Sequence, residues 1–166
     1  MARISEIIFP RVTGLVVTCN SKGEPNIAAF SFLMPVSFEP KYVAFAVSQR
    51  RKTYENLREV GEFVLAIPSK EMMSKVWVCG TKSGREVDKF ALAGLETIKS
   101  KSIRPPLVKN VPVQLECKVE LMKEFGDYWL VVGRALEEHV ETSDFQPLLH
   151  YSKNVFAVPS GKILAE

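Results

Sequence analysis

The segment VPVQLECKVELMKEFGDYWLVVGRALEEHVE, residues 111–141, constrains the fold more than any other part of the chain. Val113, Leu115, Cys117, Val119 and Leu121 alternate with Gln114, Glu116, Lys118 and Glu120. A period of two sends one set to a buried face and the other to a solvated face. Gly126–Asp127 turns the chain, and residues 127–141 return as a second long strand. The segment reads as an antiparallel hairpin.

Other stretches repeat that logic. Residues 11–20 are rich in β-branched side chains and stop at the turn cluster Asn20-Ser21-Lys22-Gly23-Glu24, after which residues 25–35 resume as a strand. A turn around residues 37–40 leads into KYVAFAVS, residues 41–48, whose near-continuous apolar character implies burial on both faces. Further strands are expected at 62–67 and 154–158. Short helices are expected at 53–60, with Thr53 as N-cap and Gly61 as stop, at 70–78, and at 89–92 after Asp88. Residues 80–87 form a Gly-rich polar loop, and 97–110, with Pro105-Pro106, read as irregular. No repeat or linker divides the chain, so residues 1–166 read as one domain. Six or more strands joined by hairpins, with a few short helices, point to a mostly β fold, an antiparallel barrel closed or nearly closed on itself. Closure would remove the sheet's own edges.

Composition excludes several functions. The net charge of +3, from 22 basic and 19 acidic residues, is too balanced to argue for nucleic acid or a membrane surface. A barrel for single-stranded nucleic acid would interleave aromatic and basic residues on one strand face. The long strands carry Glu116, Glu120, Glu137, Glu138 and Glu141 instead. Glu6 and Pro10 interrupt any secretory signal, and no apolar run approaches the ~20 residues of a membrane helix. Cys19, Cys79 and Cys117 are widely spaced and read as reduced thiols of a cytoplasmic protein. With only His139 and His150, and no His/Cys cluster, no transition-metal site is expected.

The chemistry concentrates in AFAVSQRRKTYENL, residues 44–57. Arg50, Arg51 and Lys52 precede an expected helix, where the macrodipole is already positive and acidic residues are favoured. Ser48, these cations, the Thr53 hydroxyl and free helix N–H groups together suit a phosphate; a solvated basic turn is the alternative. Neither GxxxxGK[ST] nor a GxGxxG after a strand is present. In the preceding strand Asn26, Ala28, Ala29, Phe30, Ser31 and Phe32 alternate small and aromatic residues. They suit either barrel packing or a flat ring hydrogen-bonded along the strand.

In their order these motifs resemble the flavin reductase-like family, the FMN-binding split β-barrels with Greek-key-like, antiparallel topology. The resemblance lies in Thr18, Gly23, Asn26, Ser31 with Phe32, Ser37 with Pro40, Thr53 with Asn56, and the loop KSGREVDKFALAGL, residues 82–95. It runs from about residue 9 to residue 150 and is nearest the flavoredoxin and archaeal ferric reductase-like branch.

The resemblance implies a homodimer with FMN near the subunit interface. Ser48, Arg50, Lys52 and Thr53 would hold the phosphate, with Arg51 toward solvent. Asn26, Ala29, Phe30, Ser31, Phe32 and Ser37 would lie along the flavin, and Lys82, Ser83 and Gly84 would approach from the loop. Asp88 and Lys89 would hold the loop and helix in place. His150 and Tyr151 would lie near the ring, and His150 is the one side chain considered for catalysis. The implied activity is reduction of flavin or ferric chelates by NADH or NADPH through bound FMN. The alternative is an electron carrier without nicotinamide activity. The acceptor would be a small molecule or another protein.

Overall fold

The computed structural model describes residues 2–165. In chain order the strands are β1 (Arg11–Val12), β2 (Gly14–Cys19), β3 (Pro25–Phe30), β4 (Leu33–Phe38), β5 (Lys41–Val47), β6 (Glu62–Ile67), β7 (Thr97–Ile98), β8 (Leu107–Val108), β9 (Val113–Phe125), β10 (Tyr128–Val140), β11 (Leu149–Ser152) and β12 (Val155–Ala157). The α-helices are α1 (Lys52–Val60), α2 (Met73–Thr81) and α3 (Lys89–Ala93).

The expected hairpin of β9 and β10 is the centre of the main sheet. Seven antiparallel strands follow the order β3-β2-β6-β9-β10-β5-β4. Register shifts at Val132/Gly133 and Ala135/Glu137 bend the long hairpin, as bulges do where a sheet curls into a barrel. The barrel is split rather than closed. Strands β3 and β4 end the sheet, and no ladder joins them among the described residues. The sequence reads 25–35 as one strand, but the chain bends at Ser31–Phe32 and leaves the β3 edge free. Residues 11–20 are likewise interrupted, at Thr13, and β1 leaves to pair with β11 in a small sheet with β12.

Apolar side chains cover both faces of the central strands. All six residues of β2 are buried. Val16 joins Phe45, Val47, Phe63, Leu65, Cys117 and Val131 in one cluster, while Leu15 and Val17 join Val64, Ala66, Val76, Cys79 and Phe90 in the other. Each large side chain so buried contributes about 1.5–3 kcal/mol. Helix stops follow local chemistry. Gly61 takes φ 67° and ends α1, and the Asp88 carboxylate accepts from Phe90 N–H and Ala91 N–H to start α3.

The period-two reading of β9 fails at three residues. Gln114 and Glu116 are buried, not solvated, and Leu121 is 45% exposed. The segment expected to be irregular, which contains the short pair β7–β8, lies over that face. Its backbone finds partners in the two polar side chains. Gln114 accepts from Val108 N–H and donates to Val108 C=O, both at 2.8 Å. Glu116 accepts from Lys101 N–H at 2.9 Å and Ser102 N–H at 2.7 Å, and pairs with His139 Nε2 at 2.8 Å. Burial raises the Glu116 pKa; the two N–H groups and His139 outweigh it and hold the carboxyl below its usual range.

Removing this carboxylate orphans two buried N–H groups. Glu116→Ala is expected to cost about 3 kcal/mol in urea denaturation at pH 7. The folded pKa is depressed, so the carboxylate's contribution is complete above the unfolded value and is lost as pH falls through the folded one. The gap between wild type and Glu116→Ala should therefore narrow in acid. A gap that widens below pH 4 would contradict this assignment.

Candidate functional site

Helix α1 brings the cationic turn against the split. Its N-cap is Arg51 in extended conformation, φ −92° and ψ 144°, and no side chain caps it. Thr53, expected at the N-cap, is instead the second helical residue and is buried. Its Oγ1 accepts from Asn26 Nδ2 on β3 at 3.3 Å. One turn later Asn56 Nδ2 donates to Thr18 Oγ1 on β2 at 3.0 Å. The Thr-x-x-Asn spacing points both side chains inward, and the helix start is left with free N–H groups beside Arg50, Arg51 and Lys52.

A cavity of about 320 Å³ opens there. One part of its wall is the phosphate candidate set: Ser48, Arg50, Lys52 and Thr53. Arg51, placed toward solvent by the sequence, faces the cavity too. The free edge of β3 and the bend after it supply Asn26, Ala29, Phe30, Ser31 and Phe32. Lys82, Ser83 and Gly84 come from the loop after α2, and His150 from β11. Two expected residues stand outside. Ser37 lies on β4 opposite Tyr42, beyond the bend, and the Tyr151 ring packs on Phe9 at 5.1 Å.

The loop is fitted tightly. Arg85 pairs with Glu55 and donates from Nη1 to Arg50 C=O at 2.9 Å. Glu55 also pairs with Lys52 at 3.3 Å, and Arg85 first, then Lys52, hold its carboxyl below the usual range. A Cβ added at Gly84 would overlap Asn26 Oδ1. That oxygen is buried without a partner.

Several wall residues escaped the sequence reading. Arg11 donates to Ser5 C=O at 2.8 Å, to Ile8 C=O and to Tyr151 C=O at 3.0 Å, while its guanidinium lies 5.6 Å from the Phe32 ring centre. Lys89 is 5% exposed and donates from Nζ to Cys79 C=O at 3.1 Å, so it ties α3 to α2 as expected while also facing the cavity. Burial pushes its pKa down to about 8, opposed by the Cys79 thiol and reinforced by Arg51. Cys79 and Tyr128 also face the cavity, as do Ser5, Ala28, Ala46 and Gly80. Burial pushes the Cys79 thiol up to about 11, against the pull of Lys89, which makes it a packing residue and not a nucleophile. The cavity wall thus contains Arg11, Arg50, Arg51, Lys52, Lys82 and Lys89 and, among the described residues, no carboxylate.

His150 has a defined orientation. Its Nε2 lies 3.1 Å from Lys153 C=O, which can only accept, so the neutral ring carries its proton there. Nδ1 then accepts from Ser31 O–H at 3.0 Å. The ring fixes the Ser31 hydroxyl at the bend; it is a positioning residue.

This chain belongs to the flavin reductase-like family: the Flavin reductase like domain model matches residues 8–159. A relative from Archaeoglobus fulgidus is 35% identical over 139 residues, covering 84% of this chain and 76% of the relative. Among solved structures, flavoredoxin from Methanosarcina acetivorans superposes with a TM-score of 0.88 at 25% identity, over 99% of this chain and 93% of that one. An FMN-binding protein from Thermus thermophilus gives a TM-score of 0.87 at 22% identity, over 97% and 93%. The fold is the flavin reductase-like split barrel. No described helix is long and apolar enough to cross a membrane.

Gly84→Ala tests the loop contact. Alanine at an unconstrained loop glycine is neutral or mildly stabilising. Here overpacking against Asn26 is expected to cost about 1–3 kcal/mol by thermal denaturation. In an Asn26→Ala background the same change should be close to neutral. An equal cost in both backgrounds would remove Asn26 as the partner.

Proposed function

We propose that this cavity binds FMN and that the protein is an oxidoreductase using NADH or NADPH to reduce free flavin or a ferric chelate. The supporting observation is the composition of one wall: an uncapped helix N-terminus with its cations, the unpaired edge of β3, and no carboxylate. Two features of this chain fit the cofactor. The helix N-terminus with Ser48, Arg50, Arg51, Lys52 and Ser83 would hold the dianionic phosphate. Asn26 Oδ1, an acceptor without a partner, would accept a hydrogen bond from a hydroxyl of the ribityl chain.

Bound FMN would supply the hydride and electron chemistry. The protein's own residues would position and polarise it. Unpaired backbone groups on the outer edge of β3 would read the polar edge of a flat ring, and Ser31 would present a hydroxyl held by His150. The Arg11 guanidinium beside Phe32 would favour added negative charge on that ring. No acid–base dyad is needed for hydride transfer, and His150 is engaged on both nitrogens. A flavoredoxin-like electron carrier is the second reading, favoured by the likeness to the Methanosarcina acetivorans protein.

The subunit is proposed to pair with a second copy. Strand β4 ends the sheet and exposes Met34 at 55%, Val36 at 49% and Phe38 at 95%. An exposed apolar edge strand is an association surface. Phe38→Asp is expected to shift the protein from dimer to monomer in sedimentation velocity; an unchanged dimer would place the interface elsewhere.

Each lost charge-assisted phosphate contact is worth about 1.5–3 kcal/mol when well formed. Arg50→Ala with Lys52→Ala should therefore weaken FMN binding by about a hundredfold or more, with little change in melting temperature. Unchanged affinity would sink the phosphate assignment. Anaerobic NADH or NADPH should bleach the flavin bands of a reductase, whereas bands that bleach only with dithionite would establish the carrier.

A further inference from the structure

A second cavity of about 190 Å³ adjoins the first. Ala29, Phe30, Ser31, Gly80 and His150 face both, so the two share a wall. The far side is built from Trp77 of α2, Phe156 of β12, and Thr13 and Lys153. Its size is below the ~300 Å³ at which drug-sized ligands are accommodated, and suits a single ring.

Three features define what it would take. Trp77, 40% exposed, meets Phe156 edge-on at 6.4 Å, and the His150 ring lies 4.7 Å from Phe156. These rings present aromatic edges and faces to an occupant. Thr13 is 2% exposed, and its Oγ1 has no hydrogen-bond partner although its backbone N–H is bonded to Leu148 C=O at 2.9 Å. A buried hydroxyl left unpaired is costly, and a ligand group would relieve that cost. Lys153 is exposed at the wall and forms no ion pair among the described residues, and no carboxylate lines the cavity.

We propose that this second cavity binds a single-ring aromatic carboxylate. The ring sits against Trp77 and Phe156, a polar substituent meets Thr13 Oγ1, and the carboxylate faces Lys153. With FMN in the first cavity, as read above, the ligand lies across the Ser31–His150 wall from the flavin.

The test is titration of the FMN-loaded protein with 4-hydroxybenzoate, followed by calorimetry and flavin absorbance, with cyclohexanecarboxylate as the non-aromatic control. Saturable binding of 4-hydroxybenzoate alone is expected. Thr13→Val and Trp77→Ala should each weaken it by about tenfold, with FMN affinity unchanged, and Lys153→Met should abolish its salt dependence. Thr13→Val removes an unpartnered hydroxyl, so it should melt no lower than wild type; Trp77→Ala alters a partly exposed residue and is the second safeguard. The proposal is overturned by absent binding, by equal binding of the control, or by unchanged affinity in both variants. It is also overturned if Thr13→Val weakens FMN as much as 4-hydroxybenzoate, because the cavity would then belong to the flavin's own site. Should wild type bind no FMN, the titration applies to the flavin-free protein: Thr13-dependent binding of 4-hydroxybenzoate there supports this cavity while the flavin reading fails.

Discussion

The site depends on two buried hydrogen bonds beneath helix α1, Asn56 to Thr18 and Asn26 to Thr53. Each is modest in net energy, about 1 kcal/mol, but leaving one half unpaired in the interior costs more than the bond contributes. Their value is directional. They join the helix to β2 and β3 at fixed points, so its N-terminus opens on the split and not on solvent. Thr53 could have capped its own helix; directed inward, it leaves the terminus to be completed by something else.

The split has a similar double character. An unpaired strand edge is normally a hazard, because its N–H and C=O groups invite another chain. In β3 that edge faces a cavity instead. The bend at Ser31–Phe32 creates it, since a straight run from residue 25 to residue 35 would continue past the opening. His150, brought by the small β1–β11–β12 sheet, then holds Ser31 at the bend. The barrel's incomplete closure is thus the feature that makes a binding wall from backbone.

Local signals in the sequence carried far. The β9–β10 hairpin, the Gly61 stop and the Asp88 cap are decided by residues within one or two turns, and the structure has all three. The phosphate candidate set is contiguous, and it faces one cavity with the β3 residues. What sequence did not disclose depends on distant partners. Gln114 and Glu116 look solvated until residues 101–108 lie over them. Arg11 gains its role through Tyr151, 140 residues away. Lys89 holds α3 to α2 as its place beside the cap suggests, but its burial at the cavity wall depends on α2. Ser37 and Tyr151 follow from the family resemblance, but the strand bend and the contact with Phe9 set them outside the wall.

The placement of cations before a helix has a physical consequence. Glu55, in the first turn, is the acidic residue the dipole favours, yet it is engaged by Arg85 and Lys52. The same Arg85 holds the Arg50 carbonyl, so the ion pair closes the loop over the turn without neutralising Arg50 or Arg51. Lys89, its pKa lowered to about 8 by burial first and by Arg51 second, stands in the same corner, whose wall has no carboxylate among the described residues. An incoming dianion would relieve repulsion among these cations and raise the Lys89 pKa, so that Lys89 would keep its charge further into the alkaline range. Binding and charging are then mutually favourable, and the affinity of the cavity for an anion should exceed what any single contact at the turn supplies.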